Sequence, residues 1–242
     1  MSIGFGFKAR IGQLYPSGGL CDYEPQVMAP EGVQFLTTRV PFRKTGLEDD
    51  RAFSTHLEEH AMLLADAAVD LIAVNCTAAT LVAGAENVNR RVFEATGIPS
   101  ITTIEAVEGA LHQCGMRRIA LVTPYRKEVV DEEIRHLAGC GIEVATLDGT
   151  PCETPVQQGT LPASHWLEAV RAMDLSGVDG VLISCAGIQL AEVLAQIEEV
   201  VGLPVITSNQ ALLWACLGTL GLMAPVPGYG SLLAGAFGSF RR

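Results

Sequence analysis

The sequence predicts an α/β protein made of two pseudo-symmetric, doubly wound parallel-sheet domains, with the functional site in the cleft between them. Three observations carry this. First, the chain repeats itself. Arg10-Ile11-Gly12-Gln13-Leu14-Tyr15-Pro16 returns as Arg118-Ile119-Ala120-Leu121-Val122-Thr123-Pro124, an offset of 108 residues. Asp70-Leu71-Ile72-Ala73-Val74-Asn75-Cys76 returns 109 residues later as Asp179-Gly180-Val181-Leu182-Ile183-Ser184-Cys185. Gly97-Ile98-Pro99-Ser100-Ile101-Thr102 returns 105 residues later as Gly202-Leu203-Pro204-Val205-Ile206-Thr207. Second, short apolar runs alternate with longer amphipathic ones, the pattern of parallel sheets joined by right-handed helical crossovers. Third, 242 residues, 49% apolar and 18% charged, are enough to bury two small cores.

The elements follow in order. Ile11–Tyr15 is a continuously apolar run, as expected of a strand buried on both faces. Val33–Val40 is the next strand, and Leu47–Ala68 the first helix, with Leu57, Ala61, Leu64 and Ala68 forming one stripe. Leu71–Asn75 is a strand, Ala85–Ala95 an amphipathic helix, Ser100–Thr102 a strand and Ile104–Cys114 a helix. The second half repeats the strands as Ile119–Thr123, Ile142–Leu147, Val181–Ser184 and Val205–Thr207. Its helices are Arg126–Ala138, Ala163–Met173, Leu190–Val201 and Asn209–Leu220. The domains are therefore 1–115, joined by the carboxy-terminal segment 208–242, and 116–207, each of the doubly wound, flavodoxin-like kind.

Composition narrows the function classes. A net charge of −11, with no more than two basic residues in a row, argues against a nucleic-acid partner, because phosphate binding needs a basic face. An apolar content near half excludes disorder. Mean hydropathy is +0.31, and no charge lies between Glu199 and Arg241. Pro204, Asn209, Gln210, Pro225 and Pro227 interrupt that stretch, so it reads as a buried helix and not a membrane span. The same uncharged segment suits a homo-oligomer interface or a central helix. Met1-Ser2-Ile3-Gly4 has no basic region followed by an apolar one, so no signal peptide is expected. Seven cysteines, an odd number without close pairs, fit a reducing cytoplasm better than a disulfide scaffold.

Ligands of doubly wound sheets bind beyond the carboxyl ends of the strands. Those ends carry Pro16-Ser17-Gly18-Gly19, Asn75-Cys76-Thr77, Pro124-Tyr125 and Ser184-Cys185-Ala186-Gly187. Cys76 and Cys185 occupy equivalent ends, so two facing halves would set them on either side of one cleft. A lone cysteine is most often a small buried hydrophobe; the repeat is what singles out this pair. One thiolate and one thiol can move a proton between the faces of a planar carbon, or add sulfur to an activated double bond, allow rotation and eliminate. Neither route needs a cofactor or metal. Both call for a thiol pKa lowered toward neutral and for donors aimed at a carboxylate or enolate. Ser17, Thr77, Tyr125 and the small residues Ala78 and Ala186 are placed to donate, while Gly18, Gly19 and Gly187 allow close backbone approach. Cys21, Cys114, Cys140, Cys152 and Cys216 lack this context and read as structural.

Rival motifs are weaker. His56-Leu57-Glu58-Glu59-His60 fits the H-x-x-E-H zinc pattern, but nothing downstream supplies a third ligand, and a polar helix face accounts for it. Gly4-Phe5-Gly6-Phe7 precedes the first strand, the wrong side for a dinucleotide loop. Arg90-Arg91 reads as a solvated helix face. A ligand-binding module with the same two-lobed architecture and no chemistry is the reading from another class.

Asn75-Cys76-Thr77 and Ser184-Cys185-Ala186, set in two repeated α/β halves, resemble the Asp/Glu racemase superfamily over nearly the whole chain. Pro16-Ser17, Pro30-Glu31-Gly32-Val33 and Thr123-Pro124-Tyr125 are similar to its branch of maleate cis-trans isomerases and arylmalonate decarboxylases. The resemblance implies a cofactor-independent enzyme acting on a small carboxylate or dicarboxylate, with conversion of maleate to fumarate as the specific expectation. It implies Cys76 as the nucleophile, Cys185 as the acid and Tyr125 as a carboxylate ligand. Amino-acid or hydantoin racemisation by the same pair is the alternative, with decarboxylation further off, because the decarboxylases carry glycine in place of the first cysteine. Two positions depart from the isomerases: Gly19 stands where they carry Asn, and Thr150–Thr160, with Gln157, Gln158 and Gly159, stands where they carry an Asp-Asn pair.

Overall fold

Both repeats form parallel sheets, and the two sheets are wired alike. A computed structural model provides the structure of residues 4–222 and 224–240; the first three residues, among those read for a leader, lie outside the described residues, as do Met223, Arg241 and Arg242. The first half runs β1 (Ala9–Pro16), α1 (Glu24–Met28), β2 (Val33–Val40), α2 (Leu47–Ala52), α3 (Leu57–Ala65), β3 (Leu71–Val74), α4 (Thr77–Ala83), α5 (Ala85–Thr96), β4 (Ser100–Thr102) and α6 (Thr103–Gln113). The second runs β5 (Arg118–Thr123), α7 (Lys127–Gly139), β6 (Glu143–Gly149), α8 (Pro155–Thr160), α9 (Ala163–Ala172), β7 (Gly180–Ile183), α10 (Leu194–Val201), β8 (Val205–Thr207), α11 (Ser208–Thr219) and α12 (Gly230–Leu233). The strand orders are β2-β1-β3-β4 and β6-β5-β7-β8, all parallel. In register, Leu14 faces Val74 and Val122 faces Ile183. Each predicted cysteine lies two residues beyond the last of those partners. The α/β, doubly wound expectation therefore holds in both halves.

The halves are joined through the helices that follow β4 and β8. Thr102 and Thr207 cap α6 and α11 with the same device: each side chain accepts the N–H three residues on, and Glu105 and Gln210 reach back to the cap. The two helices pack on each other. One apolar core runs from Ile11, Leu71, Ile101 and Leu111 through Ile119, Leu121 and Leu182 to Leu212 and Leu213. Each such fully buried aliphatic side chain contributes about 1.5–3 kcal/mol. Helix α11 is buried on nearly every side, which accounts for the absence of charge there. Among the described residues no helix is long and apolar enough to cross a membrane. The closing segment returns to this core: Trp214 Nε1 donates to the Gly238 carbonyl at 2.9 Å, and Phe240 packs against Gly109 where a Cβ would meet its ring at 2.6 Å.

Two expected helices are shorter than the pattern suggests. Leu47–Ala68 is broken into α2 and α3. Phe53 turns inward against Phe42, ring centroids 6.1 Å apart, and the Ser54 hydroxyl donates back to the Arg51 carbonyl, which ends the first helix. The break frees α2 to pack on α4. Leu190–Val201 begins only at Leu194, because the N–H groups of Leu190 and Ala191 are taken by the Glu24 carboxylate. Helix α4, starting immediately after Cys76, was not anticipated; its apolar Thr77-Ala78-Ala79-Thr80-Leu81 face is buried all round and has no amphipathic period to read.

Candidate active site

The carboxyl ends of β1, β3, β5 and β7 meet across the two halves and enclose a cavity of about 450 Å³, counting its open mouth. Pro16, Gly19, Cys76, Thr77, Ala78, Tyr125, Cys185, Ala186 and Gly187 line it, as the sequence predicts. Ser17, Gly18 and Asn75 do not. Ser17 is exposed, and its hydroxyl accepts the Phe42 N–H at 3.0 Å. Gly18 abuts the Phe42 carbonyl, 2.9 Å from where a Cβ would sit. Asn75 is fully buried and spends its amide elsewhere, donating to Gln13 Oε1 and Asn209 Oδ1 at 3.0 Å each and accepting from Thr103 Oγ1 at 3.0 Å. Asn209 in turn donates to Glu24 Oε2 at 2.6 Å and to the Ala186 carbonyl at 3.1 Å. This polar network sits under the cavity floor and ties the two halves together.

The cysteines are held differently. Cys76 ends the β3 run in an extended conformation and is the cap residue of α4. Cys185 lies in a turn, where its Sγ accepts the Gly187 N–H at 3.1 Å. Ser208, the first residue of α11, spans both loops: its Oγ accepts the Cys185 N–H at 3.0 Å and the Thr77 hydroxyl at 2.9 Å. The Tyr125 hydroxyl, buried at the end of β5, is within hydrogen-bonding reach of Thr77 and Cys185.

Both thiols are raised, not lowered as the expected chemistry requires. Burial pushes Cys76 well up, the Asp50 carboxylate adds to it, and the Ala79 N–H opposes. Burial pushes Cys185 up to about 12, opposed by the Gly187 N–H and Tyr125. The N–H donors expected to lower the thiols are present, and desolvation outweighs them. Burial in this mostly apolar wall thus favours the neutral form of both thiols, and a thiolate has to be formed against it.

Sequence reasoning missed several wall residues. Tyr15, Phe42, Thr45, Gly46, Asp50, Arg126, Val129, Pro155 and Gln158 also line the cavity. Tyr15 donates to the Ala186 carbonyl and accepts the Cys21 N–H, both at 3.1 Å. Its ring lies 2.4 Å from where a Cβ on Gly19 would be, so the tyrosine takes up the space in which a side chain at 19 would start. Gln158, nearly buried on α8, accepts weakly from the Cys185 thiol at 3.7 Å. It is the amide that the 150–160 segment contributes, one residue beyond the Gln157 that caps α8. Its signal in the sequence was the Thr154-Pro155-Val156-Gln157 capping box, which places residue 158 on the first turn of a helix facing the cleft. Asp50 had no readable signal, since Asp49-Asp50-Arg51 looks like any solvated turn.

The zinc-like motif does not form a site. His56 precedes α3, its Nδ1 pairing with Glu59 at 3.2 Å, and His60 Nδ1 turns to the His56 carbonyl at 2.6 Å. Arg90 pairs with Glu94 and Arg91 with Glu58, away from the cavity. Elsewhere, Glu108, His136 and Cys140 gather within 4.8 Å, held by the Glu108–His136 ion pair at 2.5 Å.

A family model described as arylmalonate decarboxylase matches residues 12–233. A maleate isomerase of Pseudomonas putida is 29% identical, over 94% of this chain and 98% of its own. One of Nocardia farcinica is 30% identical, over 93% and 95%. An arylmalonate decarboxylase of Bordetella bronchiseptica is 32% identical but over only 57% of this chain and 59% of its own. Among solved structures, a maleate isomerase of Pseudomonas putida S16 bound to maleate superimposes with a TM-score of 0.88 at 24% identity, covering 95% of this chain and 98% of that one. A cysteine-to-serine mutant of Nocardia farcinica maleate cis-trans isomerase, holding a covalently bound succinylcysteine intermediate, superimposes with a TM-score of 0.87 at 25% identity, covering 93% and 98%.

Proposed function

From the premise that the chain belongs to the arylmalonate decarboxylase family, we propose that it is a maleate isomerase, converting maleate to fumarate without a cofactor. The carrying observation is the pair Cys76 and Cys185 in one cavity, in a chain that the maleate isomerases match almost from end to end. The decarboxylase sequence aligns over little more than half of it, and the chain keeps the first cysteine, so decarboxylation is not favoured; racemisation is not favoured because the relatives that align end to end are maleate isomerases.

The chemistry assigns each residue a task. Cys76, once its thiol has lost its proton to solvent, adds as the thiolate to one olefinic carbon of maleate, and the electron pair of the double bond moves onto the neighbouring carbon and its carboxylate. Cys185 donates its proton to that carbon, giving a succinyl thioether bonded to Cys76. The former double bond is now single and rotates. Cys185 thiolate then removes the proton, the carbon–sulfur bond breaks, and fumarate leaves. Tyr125, with the N–H groups of Ala78 and Ala186, supplies the donors for the substrate carboxylates, and these donors bind best the form in which charge has moved onto a carboxylate; Thr77, whose hydroxyl donates to Ser208 Oγ, holds that side of the wall in place. Gln158 offers an amide on the Cys185 side. The cavity is small and closely walled, which suits a substrate of a few heavy atoms.

The test is direct. Reduced protein mixed with maleate should yield fumarate, followed by proton NMR. Active-site thiols intact by titration and no fumarate formed would sink the assignment.

A further inference from the structure

Among the described residues Asp50 is the one carboxylate that lines the cavity, and it is placed as a functional group would be. It sits on α2, only 1% exposed, and its Oδ2 has no hydrogen-bond partner among the described residues. A buried carboxylate oxygen left unpartnered is strongly destabilising, so its retention calls for a reason. The charged groups that act on it are Asp49 and Arg51 on its own helix and Glu128 on α7. Arg126 lines the same cavity, but its guanidinium is shared between Glu128 at 3.2 Å and Glu153 at 3.5 Å. Among the described residues no ion pair holds Asp50, and Arg51 opposes the rise without pairing with it. What it does act on is Cys76: after burial, the Asp50 charge is the largest influence on that thiol. The packing of α2 on α4 is what brings the two together.

We propose that Asp50 gates the nucleophilicity of Cys76: the two acids in one cavity wall compete for a single negative charge, so Cys76 ionises readily only while the Asp50 carboxyl holds its proton. A neutral Asp50 also leaves the wall without a fixed like charge when a dicarboxylate enters. Burial raises Asp50 to about 7, which sets the changeover near neutral pH. The dicarboxylate named here rests on the maleate reading; the coupling of Asp50 to Cys76 does not.

The test measures Cys76 directly, by its rate of alkylation with uncharged iodoacetamide from about pH 5.5 to 9, read by peptide mass spectrometry. Two coupled acids titrate as a pair. In the wild type the rate should rise about tenfold per pH unit up to the Asp50 titration near 7, then level off until the second proton is lost. In Asp50→Asn it should keep climbing about tenfold per unit, exceeding the wild type more than tenfold by pH 9. Matching profiles in the two proteins overturn the proposal. So does a wild-type rate that climbs to pH 9 without levelling, a result that needs no variant. A levelled profile in a protein that makes no fumarate would retire the maleate reading and leave the coupling of Asp50 to Cys76 standing.

Discussion

The two halves share a sheet order, a strand register and a cysteine two residues past the central strand, yet they hold those cysteines in different chemical settings. In the first half Cys76 opens directly onto α4, and the buried carboxyl that acts on it, Asp50, shares the cavity. In the second half Cys185 enters a turn that accepts the Gly187 N–H, and no helix follows until Leu194. Its buried carboxyl is Glu133 on α7, which accepts the Ser184 hydroxyl behind the cavity wall and does not line it. Both carboxyls are raised to about 7, first of all by burial, and each keeps one unpartnered oxygen. A duplicated scaffold thus brings two thiols to one cavity and sets a buried carboxyl in the cavity wall beside only one of them. That is the asymmetry that addition and proton return require: one sulfur must act as a nucleophile and the other must keep its proton until it is needed.

The largest effect that can break this comparison comes from exchanging the thiols one at a time. Cys76→Ser should abolish fumarate formation, a loss of about a thousandfold or more, because a serine hydroxyl has neither the nucleophilicity nor the acidity of a thiol. Cys185→Ser should lose a similar factor by another route: Cys76 still adds, but return is slow. Intact-protein mass spectrometry after maleate treatment should therefore find a covalent adduct in Cys185→Ser and none in Cys76→Ser. Adducts in both, or in the reverse variant, would mean that the halves have been assigned the wrong way round.

The second effect is on stability and separates the two carboxyls. Glu133 is an acid whose folded-state pKa, about 7, lies above its ordinary value. The folded protein therefore holds that proton more tightly than the unfolded chain. Its contribution is complete below about pH 4.5 and is lost as pH rises to about 7, on the order of 3 kcal/mol across that span. Glu133→Gln should flatten the corresponding part of the stability curve, measured as urea midpoints at pH 5 and 7.5, while Asp50 keeps its own share of the slope. The levelling of Cys76 reactivity near pH 7 should survive in Glu133→Gln. If that levelling moves with Glu133, the carboxyl behind the wall and not the one lining the cavity controls the nucleophile.

How much of this was legible in the sequence follows from range. The strands, the repeat and the cysteine pair are local signals, because apolar runs and strand-end residues sit next to each other in the chain. Tyr125, Thr77 and Ala186 followed from the strand-end rule for the same reason. Asp50 and Gln158 did not, because both reach the cavity from helices outside the strand ends, α2 and α8. The position of α2 depends on Phe53 turning inward to meet Phe42, a contact that shortens a helix the periodicity would have continued. Asn75 illustrates the opposite error. It sits beside the nucleophile in sequence, but its side chain leaves the strand end on the far side and is consumed by Gln13, Thr103 and Asn209.

The smallest effect concerns the pair Ser17 and Tyr125, which occupy matching places after Pro16 and Pro124 in the repeat. Strand-end logic assigns both to the site, and only Tyr125 lines the cavity. Ser17 is exposed and tied to the loop after β2, accepting the Phe42 N–H at 3.0 Å. Phe42 packs its ring against Phe53 and lines the cavity, so the serine secures a wall residue from outside. Ser17→Ala removes one partly solvated hydrogen bond, and water replaces it at the exposed edge, which should cost about 1 kcal/mol. A urea midpoint should register that loss, and kcat/KM for maleate should change by no more than about twofold, since no group that meets the substrate has been removed. A loss in kcat/KM of tenfold or more at unchanged stability would place Ser17 in the site after all. The first and second halves would then be more alike in their use of this position than the geometry allows.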